Sequence, residues 1–392
     1  MPAPGLGGLY TAENSRQTVA SLKGTGLRSP TAIDLFAGCG GMSLGLKKAG
    51  FNIIYANEIN KSAAATYGRN FPEVYLEVKN IKYVSARKLY RKLGRPQVDV
   101  IAAGTPCQGF SVAGKRSAED SRNLLYKHVL RLAKVFHPKF IVLENVAGIL
   151  ARRNRGIIRD IRRGLRRIGY YPRTKVLIAS HFGVPQRRKR VFIIAPSSAI
   201  PAVELFPKGE GLTIRVSSAI ADLAFLGSGE SACVYQRTPG TAYQREMREN
   251  SPVLYNHEST KHSAKIQRRF RSINAGSRHP RWGATRKQTH FKLHPRRIAN
   301  TLTSIPEDSI HYRQNRGLTV REMARLQSFP DGFEFLGPRT TGGERRRRES
   351  PQYTQVANAV PPLMATAVFG QLHGMIGGPV PKDGPLLELP VV

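Results

Sequence analysis

Two side chains in this sequence have the type and setting for covalent chemistry. Cys107 stands in Gly104-Thr105-Pro106-Cys107-Gln108-Gly109-Phe110-Ser111, directly after the apolar run VDVIAAG, in a loop stiffened by Pro106 and loosened by Gly104 and Gly109. A cysteine is most often a small buried hydrophobe. One in a Gly/Pro loop at a strand's end has little to bury it and is open to reaction as a thiolate. Glu144 ends a second apolar run, IVLENV. A carboxylate there is costly unless paired or protonated, and a raised pKa makes it a proton donor near neutrality. A thiol with an acid suits attack on an electrophile that must be activated by protonation. A third segment, GVPQRRKRVFIIA, sets Gln186, Arg187, Arg188, Lys189 and Arg190 before another apolar run. It reads either as a plain basic turn or as cations that favour the thiolate and grip phosphate or a base carbonyl in bidentate fashion.

A ligand site is suggested nearer the N-terminus. Phe36-Ala37-Gly38-Cys39-Gly40-Gly41 joins the run TAIDLF to a helical segment, and glycines in such a turn let a ligand approach main-chain N–H groups. The turn is not GxGxxG, which argues against a pyrophosphate cradle and against a nicotinamide-dependent oxidoreductase. Glu58 closes the next apolar run, where an acid can accept hydrogen bonds from both hydroxyls of a ribose. A simple helix N-terminal charge ahead of Asn60 and Lys61 is the plainer alternative.

These residues need a scaffold that brings strand ends together. TAIDLF, FNIIYANE, VDVIAAG, KFIVLENV, TKVLIAS and RVFIIAP read as strands, and MSLGLKKAG, KSAAATYGRN, LLYKHVLRLAKVF and RGIIRDIRRGLRRIGY as the helices between them. The alternation predicts an α/β fold with a doubly wound, Rossmann-like, largely parallel sheet, with its chemistry outside the carboxyl ends of the strands. The expected organisation is an extension over 1–29, a catalytic and cofactor-binding domain over 30–200, a smaller irregular domain over 201–310, a return to the first over 311–375 and a tail over 376–392. In the return, Thr319 with Glu322 three residues on predicts a capped helix, and AVPPLMATAVFGQLHGMI a last one.

Composition points to the partner. Sixty-two Lys and Arg against 26 Asp and Glu give a formal net charge of +36, a field that attracts a polyanion. Charge alone is equally the mark of a solvated Arg-rich face, but the basic residues cluster at Arg152–Arg167, Arg187–Arg190 and Arg345–Arg348. Cys39, Cys107 and Cys233 form no CxxC pair, which fits a reducing compartment and neither zinc nor disulfides. No stretch reads as a secretory leader or membrane span. The expectation is a cytoplasmic protein, at the nucleoid.

Taken together, DLFAGCGG, Glu58, GTPCQGFS, ENV, QRRKR, LTVREMARLQSFPDGF and QVANAVPP resemble the DNA cytosine-5 methyltransferase family, in its order and approximate spacing, over roughly 31–195 and 295–372. The resemblance implies a methyltransferase sheet that binds S-adenosylmethionine. Phe36, Gly38, Gly40 and Pro106 would line the cofactor pocket, with Glu58 on the ribose, Asn80 on the adenine amine and Asn358 closing over the methionine end. Cys107 would attack carbon 6 of cytosine, and Glu144 would hold ring nitrogen 3 and the exocyclic amine. Arg188 and Arg190 would steady base, phosphate or thiolate. The target nucleotide would be flipped out of the duplex. Gln108, Ser111, Gln186 and Thr301 would touch DNA, and 201–310 would be the target-recognition domain, reading base edges. The implied partner is double-stranded DNA, with room for a cognate restriction endonuclease; a monomer is expected, with no metal and no membrane.

Three positions depart from the family pattern: Asn80 where Asp is frequent, Ala357 where Gly is usual in QVANAVPP, and Thr105 where Pro is frequent. An RNA cytosine-5 methyltransferase on the same scaffold and a catalytically silent DNA-binding relative are the alternatives. The long basic recognition region speaks against the first, and the presence of both Cys107 and Glu144 against the second.

Overall fold

Strands that are apolar on both faces can be buried only inside a layered sheet, and the apolar runs above assemble into one. The computed structural model describes residues 28–106, 124–197, 205–209, 211, 213–278, 290–340 and 349–376. Within them lie β1 Thr31–Leu35, β2 Asn52–Glu58, β3 Leu76–Val78, β4 Val100–Gly104, β5 Phe140–Val146, β6 Arg173–Ile178 and β7 Lys189–Pro196. They form a seven-stranded sheet in the order β3-β2-β1-β4-β5-β7-β6. β1 to β5 pair in parallel, whereas β7 runs antiparallel to both of its neighbours. That one reversal brings the start of β7 to the carboxyl edge of β5, with Arg190 opposite Val146.

The helices are α1 Gly41–Lys48, α2 Lys61–Asn70, α3 Ala86–Lys92, α4 Tyr126–Phe136, α5 Arg155–Arg167, α6 Val216–Ile220, α7 Ala242–Arg248, α8 Ala264–Arg271, α9 Val320–Leu326, α10 Gln352–Asn358 and α11 Pro362–Ile376. Strand alternation sorts the core into two layers. Ala32, Val100, Ala102, Phe140, Val142, Phe192 and Ile194 face α1 and α11. Ile33, Leu35, Ile101, Ala103, Ile141, Leu143, Val191 and Ile193 face α3, α4 and α5.

The segment expected to be an irregular domain is more regular than its composition suggests. It carries α6, α7, α8 and a two-residue strand β8, Phe291–Lys292, which pairs in parallel with β9, Ser309–Ile310. Its apolar residues Leu205, Val216, Ile220, Tyr243, Met247, Leu293 and Leu302 join the core on the α1 and α11 side. Phe270, Ile273 and Ile310 form a small cluster of their own.

Buried arginines bind this segment to the return. α9 starts in a complete capping box, Thr319 accepting from Glu322 N while the Glu322 carboxylate accepts from Thr319 N. Arg316 grips the same carboxylate in a bidentate pair at 2.7 and 2.8 Å. Arg325 does likewise with Asp331 and reaches Asp222 at 2.8 Å. Arg321 donates to the carbonyls of Tyr255, Pro330 and Phe333. All three arginines are fully buried. Burial would lift the Glu322 carboxyl, but Arg316 overrides it and holds the pKa at about 2. Removing one partner of such a pair strands the other charge, so Glu322→Gln is expected to cost roughly 3 kcal/mol or more in denaturant unfolding.

His257 and His311 lie beside this pair, and burial pushes their pKa down to about 4 and about 3. Unfolded, each takes up a proton near pH 6.5, so below that pH the unfolded state binds protons that the folded state refuses. Stability is therefore expected to fall as pH drops from about 6.5 toward 4. Urea midpoints at pH 7 and pH 5 check this, and equal midpoints would contradict it.

Candidate active site

The carboxyl edge of the sheet gathers the chemistry. Glu144 sits in register with Gly104, the last residue of β4. A Cβ built on Gly104 would stand 3.7 Å from Phe36 O and 3.9 Å from Glu144 Oε2. The turn after β1, the base of the loop after β4 and the carboxylate of β5 therefore meet within one small volume. Phe36 has φ +57, a left-handed conformation that costs a bulky side chain about 1–2 kcal/mol and that aims its carbonyl at this meeting point.

Arg190 Nε lies 2.8 Å from Glu144 Oε1, with both side chains about nine-tenths buried. Burial raises the Glu144 pKa above the ordinary carboxylate value, and Arg190 and Arg188 oppose that rise. The acid is thus held in place yet kept nearer to protonation than a surface glutamate. Asn145, next in β5, donates from Nδ2 to Thr105 O at 3.2 Å and Thr105 Oγ1 at 3.1 Å. The Thr105 hydroxyl, absent from proline, thereby gives the loop leading to position 107 a second tie to the strand that carries the acid.

The turn after β1 is built on Glu58. Its carboxylate accepts from Gly38 N at 2.8 Å through Oε2, and from Ile59 N and Asn60 N at 3.0 and 2.7 Å through Oε1. Of four lone-pair positions, three serve amides, and one on Oε2 remains for a ligand hydroxyl. The amides of Ile59 and Asn60 give Glu58 the local helix-start role, and the position left on Oε2 is open to a ligand donor. Among the described residues nothing lies within 4 Å of a Cβ built on Gly38, φ +58, so a ligand can approach its backbone. Gly40 is different: a Cβ there would strike Phe71 Cε2 at 2.4 Å, so that glycine is required by packing. Ile59, which the sequence reading passed over, leaves 60% of its surface exposed directly after Glu58, an apolar face beside the acid for a flat ring. Its signal was an isoleucine past the strand's end, where burial is not expected. Asn80 caps a short 3₁₀ turn, accepting from Lys82 N at 3.1 Å. Below the turn Asp34 is fully buried and accepts from Ser43 Oγ at 2.6 Å, and burial pushes its pKa up to about 7.

Comparison with known proteins agrees with this arrangement. The family model for C-5 cytosine-specific DNA methylase matches residues 31–374. Among similar proteins, the Type II methyltransferase M.DdeI of Desulfomicrobium norvegicum is 38% identical over 86% of each chain. M1.HphI of Haemophilus parahaemolyticus, also described as a Type II methyltransferase, is 35% identical over 87% of this chain and 86% of its own. The chain belongs to the C-5 cytosine-specific DNA methylases. Its reaction is methylation of cytosine in DNA at carbon 5. A crystal structure described as a DNA modification methyltransferase from an E. coli prophage superposes with TM-score 0.75 and 25% identity, covering 89% of this chain and all of the other. The Dnmt2 methyltransferase of S. pombe shares the fold at TM-score 0.58 and 18% identity, over 90% of this chain and all of its own.

Two residues expected at the DNA or the base are buried in this structure. In the run Gln186 to Arg190 the side chains alternate as on a strand: Gln186, Arg188 and Arg190 point inward, and Arg187 and Lys189 are exposed. Gln186, expected on DNA, is wholly buried. It donates to Gln327 Oε1 at 2.5 Å and Leu326 O at 3.2 Å and accepts from Leu302 N at 3.0 Å. Arg188, expected to steady base, phosphate or thiolate, is 1% exposed and donates to Ala357 O and Ala359 O. Gln327 also donates to Val356 O and Ala359 O, at 2.9 and 3.2 Å. Gln186, Gln327 and Arg188 thus form one buried network that fixes the turn bearing Asn358, whose own side chain is exposed.

Thr301 is exposed and donates to Arg187 O at 2.8 Å, tying the end of the central segment to this strand. Pro106 is half-buried at the site. Cys107, Gln108 and Ser111 lie outside the described residues, as do Trp282 and Arg345–Arg348. Cys39, by contrast, is buried with its thiol pushed up to about 12 by burial, which removes it as a nucleophile. Among the described residues no helix is long and apolar enough to cross a membrane.

Gln186→Leu leaves buried partners unsatisfied, so a stability loss of about 1–3 kcal/mol is expected together with weaker cofactor binding. Non-specific DNA affinity should hardly move. Denaturant unfolding and filter binding separate these effects, and lost DNA affinity at unchanged stability would restore Gln186 to the DNA interface.

Proposed function

We propose that the methylase acts through a covalent adduct between Cys107 and a cytosine flipped out of a specific double-stranded DNA sequence, with S-adenosylmethionine as methyl donor. The observation that carries this reading is the convergence of Glu144, the base of the Cys107 loop and the Phe36 turn at one point of the sheet edge. Only Thr105 and Pro106 stand between Gly104, whose Cβ position is 3.9 Å from Glu144 Oε2, and Cys107.

The residues present fit the cofactor. The open approach to Gly38, the lone pair left on Glu58 Oε2, the exposed Ile59 and the exposed Asn358 offer an amide, an acceptor, an apolar face and a side-chain amide around one turn. Bound there, S-adenosylmethionine supplies an electrophilic methyl group. Asn80 is the candidate acceptor for the adenine amine, and Pro106 for one wall of the pocket.

The thiolate of Cys107 adds to carbon 6 of the ring, forming a C–S bond and sending an electron pair toward ring nitrogen 3. Glu144 meets that charge with a proton or hydrogen bond and accepts from the exocyclic amine. Burial already lifts its pKa, and a base filling the cleft removes more water from it. Carbon 5 then carries enamine electron density and takes the methyl group. Loss of the carbon-5 proton to a base and expulsion of the thiolate restore the aromatic ring. Arg190 orients the carboxylate and limits its rise in pKa, while Arg188 acts at one remove by holding the Asn358 turn. Unstacking is required because carbon 6 inside a duplex is closed to a thiol. Residues 201–310 are the recognition domain in this reading, with exposed Arg187 and Lys189 beside them to meet phosphate. The Type II names of the relatives support a place beside a cognate restriction endonuclease, with the chain acting as a monomer.

Cys107→Ser is expected to abolish transfer of labelled methyl to plasmid DNA while binding persists; substantial turnover would contradict the covalent route. Glu144→Gln should slow single turnover by about 10²–10⁴-fold. Arg190→Gln removes the cation that opposes burial, so the Glu144-controlled limb of the pH profile should move to higher pH. An unmoved limb would detach Arg190 from the acid.

A further inference from the structure

One basic cluster is left over by this chemistry. Of the helices on the sheet face away from the recognition segment, α3 and α4 carry only basic charged residues and α5 carries a single acid, Asp160. In α5 the apolar side is spent on the core: Ile161 and Leu165 are buried there. Arg155, Arg159, Arg162 and Arg166 recur at steps of four, three and four. They therefore fall within about 60° of one another around the axis and form a stripe about 17 Å long. All four are exposed. Among the described residues none has an acidic partner within 4 Å; Asp160 pairs instead with Arg163, at 3.6 Å. A shallow groove along the stripe is lined by these arginines together with Arg163, Arg167 and Ile158.

We propose that the outer face of α5 is a second binding surface for duplex DNA, separate from the catalytic cleft, which holds DNA beyond the target site without reading its sequence. The inference rests on the family's DNA substrate and not on the roles given to Cys107 or Glu144. Like charges at i and i+4 destabilise a helix by about 0.2–0.5 kcal/mol each, and here Arg155 with Arg159 and Arg162 with Arg166 do so with no acidic side chain among the described residues paired to any of the four. A polyanion would offset that repulsion. Over its length the stripe faces duplex carrying roughly ten phosphates, at about 1.7 Å of helix axis per charge, and arginine pairs with phosphate in bidentate fashion. A protein partner would want an apolar or aromatic centre, which a groove with one isoleucine lacks. A membrane would want the apolar side of α5, which the core already holds. The position suits flanking DNA: α5 begins shortly past Glu144 at the active edge and runs away from it.

The test uses the full-length protein with Arg155→Gln, Arg159→Gln, Arg162→Gln and Arg166→Gln combined. The substrates are a plasmid and a short duplex that carries the methylated site found by bisulfite sequencing. Plasmid affinity should fall by about tenfold or more, and the slope of log affinity against log salt should become shallower by roughly 3. Turnover on the short duplex should stay unchanged, and Tm should hold or rise because repulsion is relieved. The same four positions changed to Lys should restore most of the plasmid affinity. Unchanged plasmid binding and slope would overturn the proposal, as would an equal loss on the short duplex or a loss confined to RNA. If the native protein transferred no methyl through Cys107 while this variant still lost plasmid binding, the catalytic reading would fail and the surface would stand.

Discussion

A carboxylate at the end of a buried strand needs a cation close by, and one reversed strand supplies it. Were β7 parallel like the first five, its basic start would lie at the opposite edge of the sheet, far from Glu144. Running antiparallel, it lays Arg190 beside the acid and lets burial and charge oppose each other on one carboxyl group. The same strand, continued backward through Arg188 and Gln186, holds the turn carrying Asn358 and the end of the central segment. Glu144, the turn carrying Asn358 and the central segment thus share one mechanical reference.

That reference explains why so much polar chemistry is buried on one side of the sheet. Gln186, Gln327, Arg188, Arg316, Arg321 and Arg325 are all inside the protein. Their partners are carbonyls, carboxylates and side-chain amides, some close in sequence, as Glu322 is to Arg316, and others far away, as Ala357 is from Arg188. Such networks stabilise little compared with an apolar core, but they fix register and orientation when every member has its partner. A site assembled from several strand ends and loops needs that fixity more than it needs net stability.

Much of this was legible in the residues. Six strands and four of the five helices between them followed from apolar period and length, with α3 missed, and the Thr319 capping box from two side chains three residues apart. Glu144 was recognisable as a tuned acid because an apolar strand has no cheap way to end in a carboxylate. That Gln186 and Arg188 are buried was not signalled by their polarity. The QxRxR spacing has the period of two that marks one face of a strand, and that face turned out to be the inner one. The short helices α6 to α8 were missed because they lean on a core supplied by distant strands, and so their local sequence need not carry a strong helical pattern. Gly40 also looked like a ligand cradle, since a glycine kept clear for Phe71 has the same letter as one kept clear for a cofactor.

The central claim is that the thiol of Cys107 and the acid of Glu144 act on one unstacked cytosine. Duplex DNA in which every cytosine carries fluorine at carbon 5 tests it directly, because after methyl transfer there is no proton to lose and the enzyme cannot be expelled. Incubation with S-adenosylmethionine, followed by digestion and mass spectrometry, should yield a methylated nucleotide joined to the peptide that contains Cys107, and Glu144→Gln should suppress its formation. An adduct on another residue, or methylated product released without any adduct, would contradict the account.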